Sequence, residues 1–175
     1  MSVEYGWLGQ LNKKNSINLQ RGSGTNTSSL IKKSLAAKGV NGYTAENIRS
    51  KNLVKDAKDN TVYYILSIAE GRDVWPVYPF IKDIKEKEPK NGYAVLTQDV
   101  KSDAKGKWQV NLWVVSFEDI CDQIDKGFIK LQFRASAKPY YRVDMKILNG
   151  LVKPEQVELS EIPKILLNIK AGGTK

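Results

Sequence analysis

Histidine is absent from the 175-residue sequence, and Cys121 is its single cysteine. Histidine is the usual general base of catalytic triads and the commonest zinc ligand, so triad chemistry and a structural zinc site are both disfavoured. One cysteine cannot form an internal disulfide, which suits a reducing compartment. We therefore expect a cytoplasmic protein that carries no metal, no cofactor and no disulfide framework.

Long apolar runs are also lacking, since none approaches the ~20 residues that a helix needs to cross a bilayer. The first ten residues contain Glu4 and no positively charged stretch, so they do not resemble a secretory signal. The length and the 41% hydrophobic composition fit one globular domain. We predict a monomeric single domain over residues 1–171, with a linker or tail at 172–175, and no membrane contact.

Acidic residues are the minority among the charged side chains. There are 19 Asp plus Glu against 28 Lys plus Arg, which gives a net charge of +9 and a pI near 9.5. The excess lies at the two ends, because residues 1–60 and 121–175 each carry ten basic side chains against four and six acidic ones. Such a charge suggests a phosphate-rich partner, although a solvated basic surface would give the same composition.

Hydrophobic periodicity predicts a β-dominated α+β fold with short helices. Strands are predicted at residues 16–20, 61–69, 74–80, 93–100, 107–116, 128–134 and 140–148. Helices are predicted at residues 3–11, 29–38, 116–126 and 160–171. Two prolines limit the strand at 74–80 to a sheet edge or a projecting arm. Glycines and small polar residues predict a loop at 21–28.

The helix at 116–126 has the clearest local signals. Ser116 is the expected N-cap, Asp119 stands at the capping-box position, and Gly127 follows the last turn. Ile120, Cys121 and Ile124 fall on one helical face, so we predict that the Cys121 thiol is an inert part of the core.

Few residue patterns indicate catalysis. Neither a Walker-type phosphate loop nor a complete GxGxxG fingerprint is present. Pairs in which an acidic residue stands two positions before a lysine are frequent, and a sequence rich in both residue types contains such pairs by chance. Asp144 with Lys146 is the best placed of them because it falls on a predicted strand, with Asp122 or Asp125 as a possible partner for Mg²⁺. We nevertheless expect that this chain alone is not an enzyme.

Two segments carry residue types that read DNA. Arginine and asparagine pair bidentately with guanine and adenine edges, while hydroxyl groups and lysines contact phosphates. The candidate DNA-binding residues of the first segment are Lys14, Arg21, Ser23, Thr25, Asn26 and Thr27. Those of the second segment are Arg72, Asp73, Trp75 and Tyr78. From composition alone each segment also fits an ordinary turn or an ordinary aromatic edge strand.

Short motifs in the middle of the chain are similar to a known family. Residues 88–96 (EPKNGYAVL) form a proline–asparagine turn that leads into an apolar strand, and residues 110–114 (VNLWV) follow a glycine-containing turn. Together with Val3 and Trp7–Leu8 near the start and Val62–Tyr64, they resemble the DNA-binding pseudobarrel effector domain of the restriction enzymes EcoRII and BfiI. The plant B-three transcription factors share this fold. The resemblance follows the order of elements over roughly residues 1–120.

The resemblance implies a seven-stranded open pseudobarrel with short helices capping its ends. Two arms of such a domain grip double-stranded DNA through the major groove, and here they correspond to Arg21–Thr27 and Glu70–Tyr78. The first arm is shorter than the family pattern, and the second has one arginine, Arg72, where a cluster is expected. The domain binds DNA while a separate nuclease domain of the same parent chain cuts it, which agrees with the scarcity of catalytic motifs.

Three function classes therefore follow from the sequence. The leading hypothesis is a sequence-specific DNA-binding effector domain of a type II restriction endonuclease. The second is a small, self-sufficient Mg²⁺-dependent endonuclease that uses Asp144 and Lys146, and the third is a basic module that binds RNA or protein. Binding of duplex, single-stranded DNA and RNA, followed by incubation with Mg²⁺, separates the three.

Overall fold

A computed structural model describes residues 24–42, 52–79, 81–82, 92–100, 109–134 and 137–170. The helices in these ranges are α1 Gly24–Ala36, α2 Phe117–Asp125, α3 Met145–Leu151 and α4 Ile162–Lys170, with a 3-10 turn at Leu159–Glu161. The strands are β1 Val40–Gly42, β2 Leu53–Asp56, β3 Val62–Ile68, β4 Val74–Val77, β5 Gly92–Asp99, β6 Gln109–Ser116, β7 Leu131–Arg134, β8 Ala137–Asp144 and β9 Glu155–Glu158. None of these helices is long and apolar enough to cross a membrane.

Six strands form the larger sheet, in the order β1-β2-β3-β5-β6-β9. β3 and β5 pair in parallel, from Val62 opposite Gly92 to Ile68 opposite Gln98, and the other neighbours are antiparallel. The predicted hairpin of β5 and β6 is confirmed. β3 is apolar on both faces because both faces of this sheet are covered, as is usual where strands run parallel.

Three strands form the smaller sheet, in the order β4-β8-β7. β4 is an edge strand, as predicted from its proline content. Pro76, which has no N–H to donate, lies opposite Arg142 and needs no partner on the open side of the strand. The register shifts between Gln132 and Arg134 on β7, so the sheet is irregular at this end.

The larger sheet is the middle layer of the fold. One of its faces packs against α1 and α4, through side chains such as Ile31 and Leu166. The other face packs against the smaller sheet, α2 and α3, with Trp75 and Trp113 among its largest buried side chains. Cys121 is buried in this second core, which confirms the prediction of an internal thiol.

The helix predicted at residues 116–126 is confirmed as α2, and its end residues act as expected. The Ser116 hydroxyl accepts a 3.1 Å hydrogen bond from the backbone N–H of Asp119, and Gly127 has a φ of +83°, which glycine adopts without steric cost. α4 is also present, with Pro163 in its first turn.

Three expectations differ from the structure. α1 begins at Gly24, four to five residues before the predicted start and inside the predicted loop, because Thr27 and Ser28 are buried by tertiary contacts. Residues 145–148 are helical rather than extended, since Asp144 caps α3. β1, β2 and β9 were not predicted, because each of these short strands contains at most two apolar residues.

The fold class is β-dominated α+β, as predicted. The strand count is not seven, because the described ranges alone contain nine strands, and within them the two sheets are not closed into a barrel by strand pairing. The predicted helix at 3–11, the predicted strand at 16–20 and the tail at 172–175 lie outside the described residues.

Candidate nucleic-acid interface

The first predicted arm is only partly described. Lys14, Arg21 and Ser23 lie outside the described residues, and Thr25 and Asn26 belong by their backbone to the first turn of α1. The segment therefore leads directly into a helix that is packed on the larger sheet.

Thr27 is not available to a duplex. Its side chain is fully buried, and its hydroxyl donates a 2.6 Å hydrogen bond to Oδ1 of Asp99 at the end of β5. The prediction that Thr27 contacts DNA is therefore wrong, because Thr27 lies at the start of the buried face of α1 and its hydroxyl is used inside the protein. Its contact with Asp99 fixes where the first arm meets the sheet.

The second predicted arm leaves the end of β3 through a tight turn. The backbone N–H of Arg72 donates to the carbonyl of Ala69 at 3.2 Å, and Gly71 between them has a φ of +84°. Arg72 and Asp73 are exposed at this turn. The Arg72 side chain forms no ion pair with any carboxylate in the described ranges, so its guanidinium is available to an external partner.

The two aromatic residues of this arm have different surroundings. Trp75 is 0% exposed, its Nε1–H donates to the carbonyl of Thr97 at 3.0 Å, and its ring meets Trp113 edge-on at 5.1 Å. Direct contact of Trp75 with DNA is therefore excluded, and the side chain fastens β4 to β5 instead. Tyr78 is 40% exposed just after β4 and remains accessible to a ligand.

Both arms are attached to consecutive residues at the end of β5. Asp99 accepts from Thr27 of the first arm, and the Nε2 of Gln98 donates to the carbonyl oxygen of Arg72 in the second arm at 2.6 Å. Successive side chains of a strand point to opposite faces of its sheet, so the two arms reach this strand end from opposite sides. Sequence reasoning missed Gln98 and Asp99 because nothing local marks either residue.

The second arm is held at its other side as well. The backbone N–H of Met145, at the start of α3, donates to the carbonyl oxygen of Asp73 at 2.8 Å. Gln98 is itself oriented by Asn111, whose Nδ2 donates to the Gln98 Oε1 at 3.2 Å. The backbone beneath Arg72 is therefore fixed from two sides, while its side chain extends outward.

A second basic surface lies on the outer face of the smaller sheet. The exposed or half-buried polar side chains of this face include Lys130, Gln132, Tyr140 and Arg142, and the exposed Lys138 lies beside them at the register shift. We call these five residues the basic face. The intervening Tyr141 and Val143 on β8 point toward the core. A charge signal marks this region in the sequence, since residues 126–143 contain five basic residues and no acidic one.

Among the residues whose side chains are described, the cations of the basic face form no ion pair, although Asp144 lies two residues beyond Arg142 on the same face of β8. The ion pairs found in the described part of the chain join Lys82 to Asp125 at 3.0 Å and Lys126 to Asp122 at 2.9 Å, and neither involves β7 or β8. The basic face is therefore a region of positive potential open to an anionic partner.

The residues proposed for a metal-dependent nuclease have structural roles. Oδ1 of Asp144 accepts a 3.0 Å hydrogen bond from the backbone N–H of Ile147 and caps α3. Asp122 and Asp125 are paired with lysines, as described above. Among the residues whose placement is described, no three Cys, Asp or Glu side chains come together as metal ligands would. This arrangement gives no support to a nuclease centre at Asp144 and Lys146.

Known proteins give no direct guide to this site. The similarity to the EcoRII and BfiI effector domains stays a prediction from short sequence motifs. No family model matches the chain, and no curated protein or solved structure is significantly similar to it.

Proposed function

We propose that the chain binds double-stranded DNA in a sequence-specific way, as the recognition domain of a type II restriction endonuclease. The observation that carries the proposal is the attachment of both predicted arms to neighbouring residues, Gln98 and Asp99, at one end of the larger sheet. Two segments that flank one strand end from opposite faces can embrace a duplex between them.

The turn that carries Arg72 suits the reading of base edges. An exposed arginine pairs bidentately with O6 and N7 of guanine, and a neighbouring aspartate accepts from N4 of cytosine, so Arg72 and Asp73 together would recognise two bases. The hydrogen bonds from Gln98 and Met145 fix the backbone of this turn before binding. Less ordering is then needed on association, which favours both affinity and discrimination.

The fold itself is part of the proposal. We propose that the two packed sheets correspond to the open pseudobarrel of the EcoRII-type effector domains. Seven strands remain when the short edge strands β1 and β9 are left out, and helices lie outside the sheets. In this proposal the protein is cytoplasmic, and cleavage belongs to a nuclease domain elsewhere in the parent protein.

Selection of bound duplexes from a random pool tests the proposal. A preferred sequence should emerge, and Arg72→Ala should weaken binding to it by a factor of about 5 to 150, which corresponds to the ~1–3 kcal/mol of a bidentate base contact. Binding to random DNA should change little. Lys58→Ala, an exposed lysine in the turn between β2 and β3, is the matched control and should leave both affinities unchanged.

Other outcomes would contradict the proposal. A pool without enrichment, or equal losses on preferred and random DNA, would show that Arg72 reads no base. Stronger binding to RNA than to duplex DNA would favour the RNA-binding alternative. Nicking of plasmid DNA with Mg²⁺ that disappears in Asp144→Ala would instead support an endonuclease.

A further inference from the structure

We infer that the basic face is a second contact surface for the duplex, on which the sugar-phosphate backbone lies while the arms read the bases. The inference rests on the proposed function and assigns a role to residues outside both arms. It concerns the three exposed cations of this face, which are Lys130, Lys138 and Arg142.

Strand register brings two of the three cations to one face. Arg142 donates its backbone N–H to the carbonyl oxygen of Lys130 at 3.1 Å, so these two residues are neighbours across β7 and β8. Lys138 is exposed at the irregular end of the same sheet, where the register shifts and β8 carries one residue more than β7. All three are exposed, and the opposite face of the sheet packs on the core through Val77 and Val143.

The basic face is continuous with the second arm. Arg142 lies opposite Pro76 on β4, four residues beyond Arg72. β4 is the edge strand next to β8, so the arm and the basic face belong to one sheet without an intervening element. A duplex touched by Arg72 can therefore extend over this sheet.

The dimensions also fit a double helix. Four residues of a regular strand span about 13 Å, and the bulge in β8 makes the separation between Lys138 and Arg142 somewhat shorter than this. The major groove of B-DNA is about 12 Å wide. The two side chains could thus contact phosphates on both margins of one groove.

A duplex suits this face better than a single strand does. Single-stranded nucleic acids are held by bases stacked on exposed aromatic rings within a basic groove. Phe133 is exposed at the register shift, opposite Lys138, and Tyr140 of the basic face is half-buried. A single exposed ring beside the cations does not provide the row of stacking positions that successive bases need, whereas the cations suit contacts to a phosphate backbone.

The salt dependence of binding tests the inference. Phosphate contacts made by lysine or arginine each contribute about 0.9 to the slope of log K against log salt, whatever the sequence. Lys138→Ala and Arg142→Ala should each lower this slope by about 0.9, and the double variant by about 1.8. Affinity for preferred and random duplexes should fall by the same factor in each variant. Lys164→Ala, an exposed lysine in α4 across the larger sheet, should leave the slope unchanged.

The outcomes separate this inference from the proposed function. One outcome is that Arg72→Ala abolishes the preference for one DNA sequence while the Lys138→Ala/Arg142→Ala variant keeps the wild-type salt slope. In that case the arms read the duplex, but the duplex does not touch the basic face. A larger loss on the preferred sequence than on random DNA would make these residues base readers and overturn the assignment. So would a loss confined to RNA or single-stranded DNA. If the wild type binds no duplex at all, the proposed function itself fails.

Discussion

The Thr27 hydroxyl and the Asp99 carboxylate, 72 residues apart in the sequence, share a buried 2.6 Å hydrogen bond. The contact joins the first turns of α1 to the end of β5, one residue beyond the glutamine that holds the second arm. A single strand end therefore organises both segments that the sequence marks as DNA readers. Thr27 and the turn at Arg72 are thus both held by contacts that are distant in the sequence.

We expect Thr27→Val to lower the free energy of unfolding by about 1.5 to 3 kcal/mol. Valine has nearly the same shape but cannot donate to the buried Asp99 carboxylate, and hydrogen bonds to charged groups are worth about this much. Thr27→Ser keeps the hydroxyl and should cost less. Urea denaturation of the three proteins gives the comparison, and a Thr27→Val protein as stable as wild type would show that the bond contributes nothing.

Elements with strong local signals were predictable from the sequence. β5 and β6 carry runs of apolar and β-branched residues, and α2 has its cap at Ser116 and its stop at Gly127. The edge position of β4 followed from the chemistry of Pro76, which lacks an N–H. In each case the deciding interaction lies within a few residues of the chain.

The remaining features depend on partners that are distant in the sequence. The sequence predicted Thr27 in a loop, but its hydroxyl donates to Asp99, which is 72 residues away. It predicted Trp75 in an exposed arm, but the indole packs against Trp113 in the core. The role of Gln98 in holding the second arm could not be predicted, because no sequence pattern distinguishes a glutamine on a strand that binds a distant backbone carbonyl. Of the candidate site, the exposed Arg72 was therefore predictable, but the contacts that hold its turn were not.

Trp75→Phe should destabilise the protein without changing its choice of DNA sequence. The change leaves the buried Thr97 carbonyl without the indole donor, which costs about 1 to 3 kcal/mol. The turn at Arg72 keeps its hydrogen bonds to Gln98 and Met145, so the ratio of preferred to random affinity should stay at the wild-type value. A ratio that falls as far as in Arg72→Ala would mean that the indole helps to position the reader.

Stability should decline as the pH rises above about 10. Burial raises the pKa of the Tyr64 phenol above its ordinary value, and burial together with Asp59 and Asp56 raises the pKa of Tyr63. The unfolded chain then loses these protons at a lower pH than the folded protein, so the stabilisation is complete below pH ~10 and is lost above it. Each tyrosine contributes a slope of up to about 1.4 kcal/mol per pH unit.

Tyr64→Phe isolates one of these two contributions. Its free energy of unfolding, measured by urea denaturation across the alkaline range, should fall less steeply with pH than that of the wild type. The slope comparison holds even if the variant is less stable overall, since a loss of hydrogen bonding is common to every pH. Identical slopes would assign the alkaline transition to other groups.

Asp144→Asn should leave the protein nearly as stable as wild type, because asparagine caps helices about as well as aspartate does. Asp144→Ala removes the acceptor of the Ile147 N–H and should cost about 0.5 to 2 kcal/mol. Binding to duplex DNA should be the same in both variants. A stable Asp144→Asn protein that has lost a Mg²⁺-dependent nicking activity of the wild type would contradict the purely structural role of this carboxylate.

Gln98→Ala should weaken discrimination between DNA sequences although the side chain itself reads no base. Without the amide that donates to the Arg72 carbonyl, the turn loses one of its two fixed points and must be ordered on binding, at a cost of about 0.5 to 1.5 kcal/mol. Affinity for the preferred duplex should fall about 2- to 13-fold, with little change on random DNA. Gln156→Ala, which removes an exposed cross-strand amide pair with Gln109 at the β9 edge, is the matched control and should alter neither affinity. Equal behaviour of the two variants would show that the arm is positioned without Gln98.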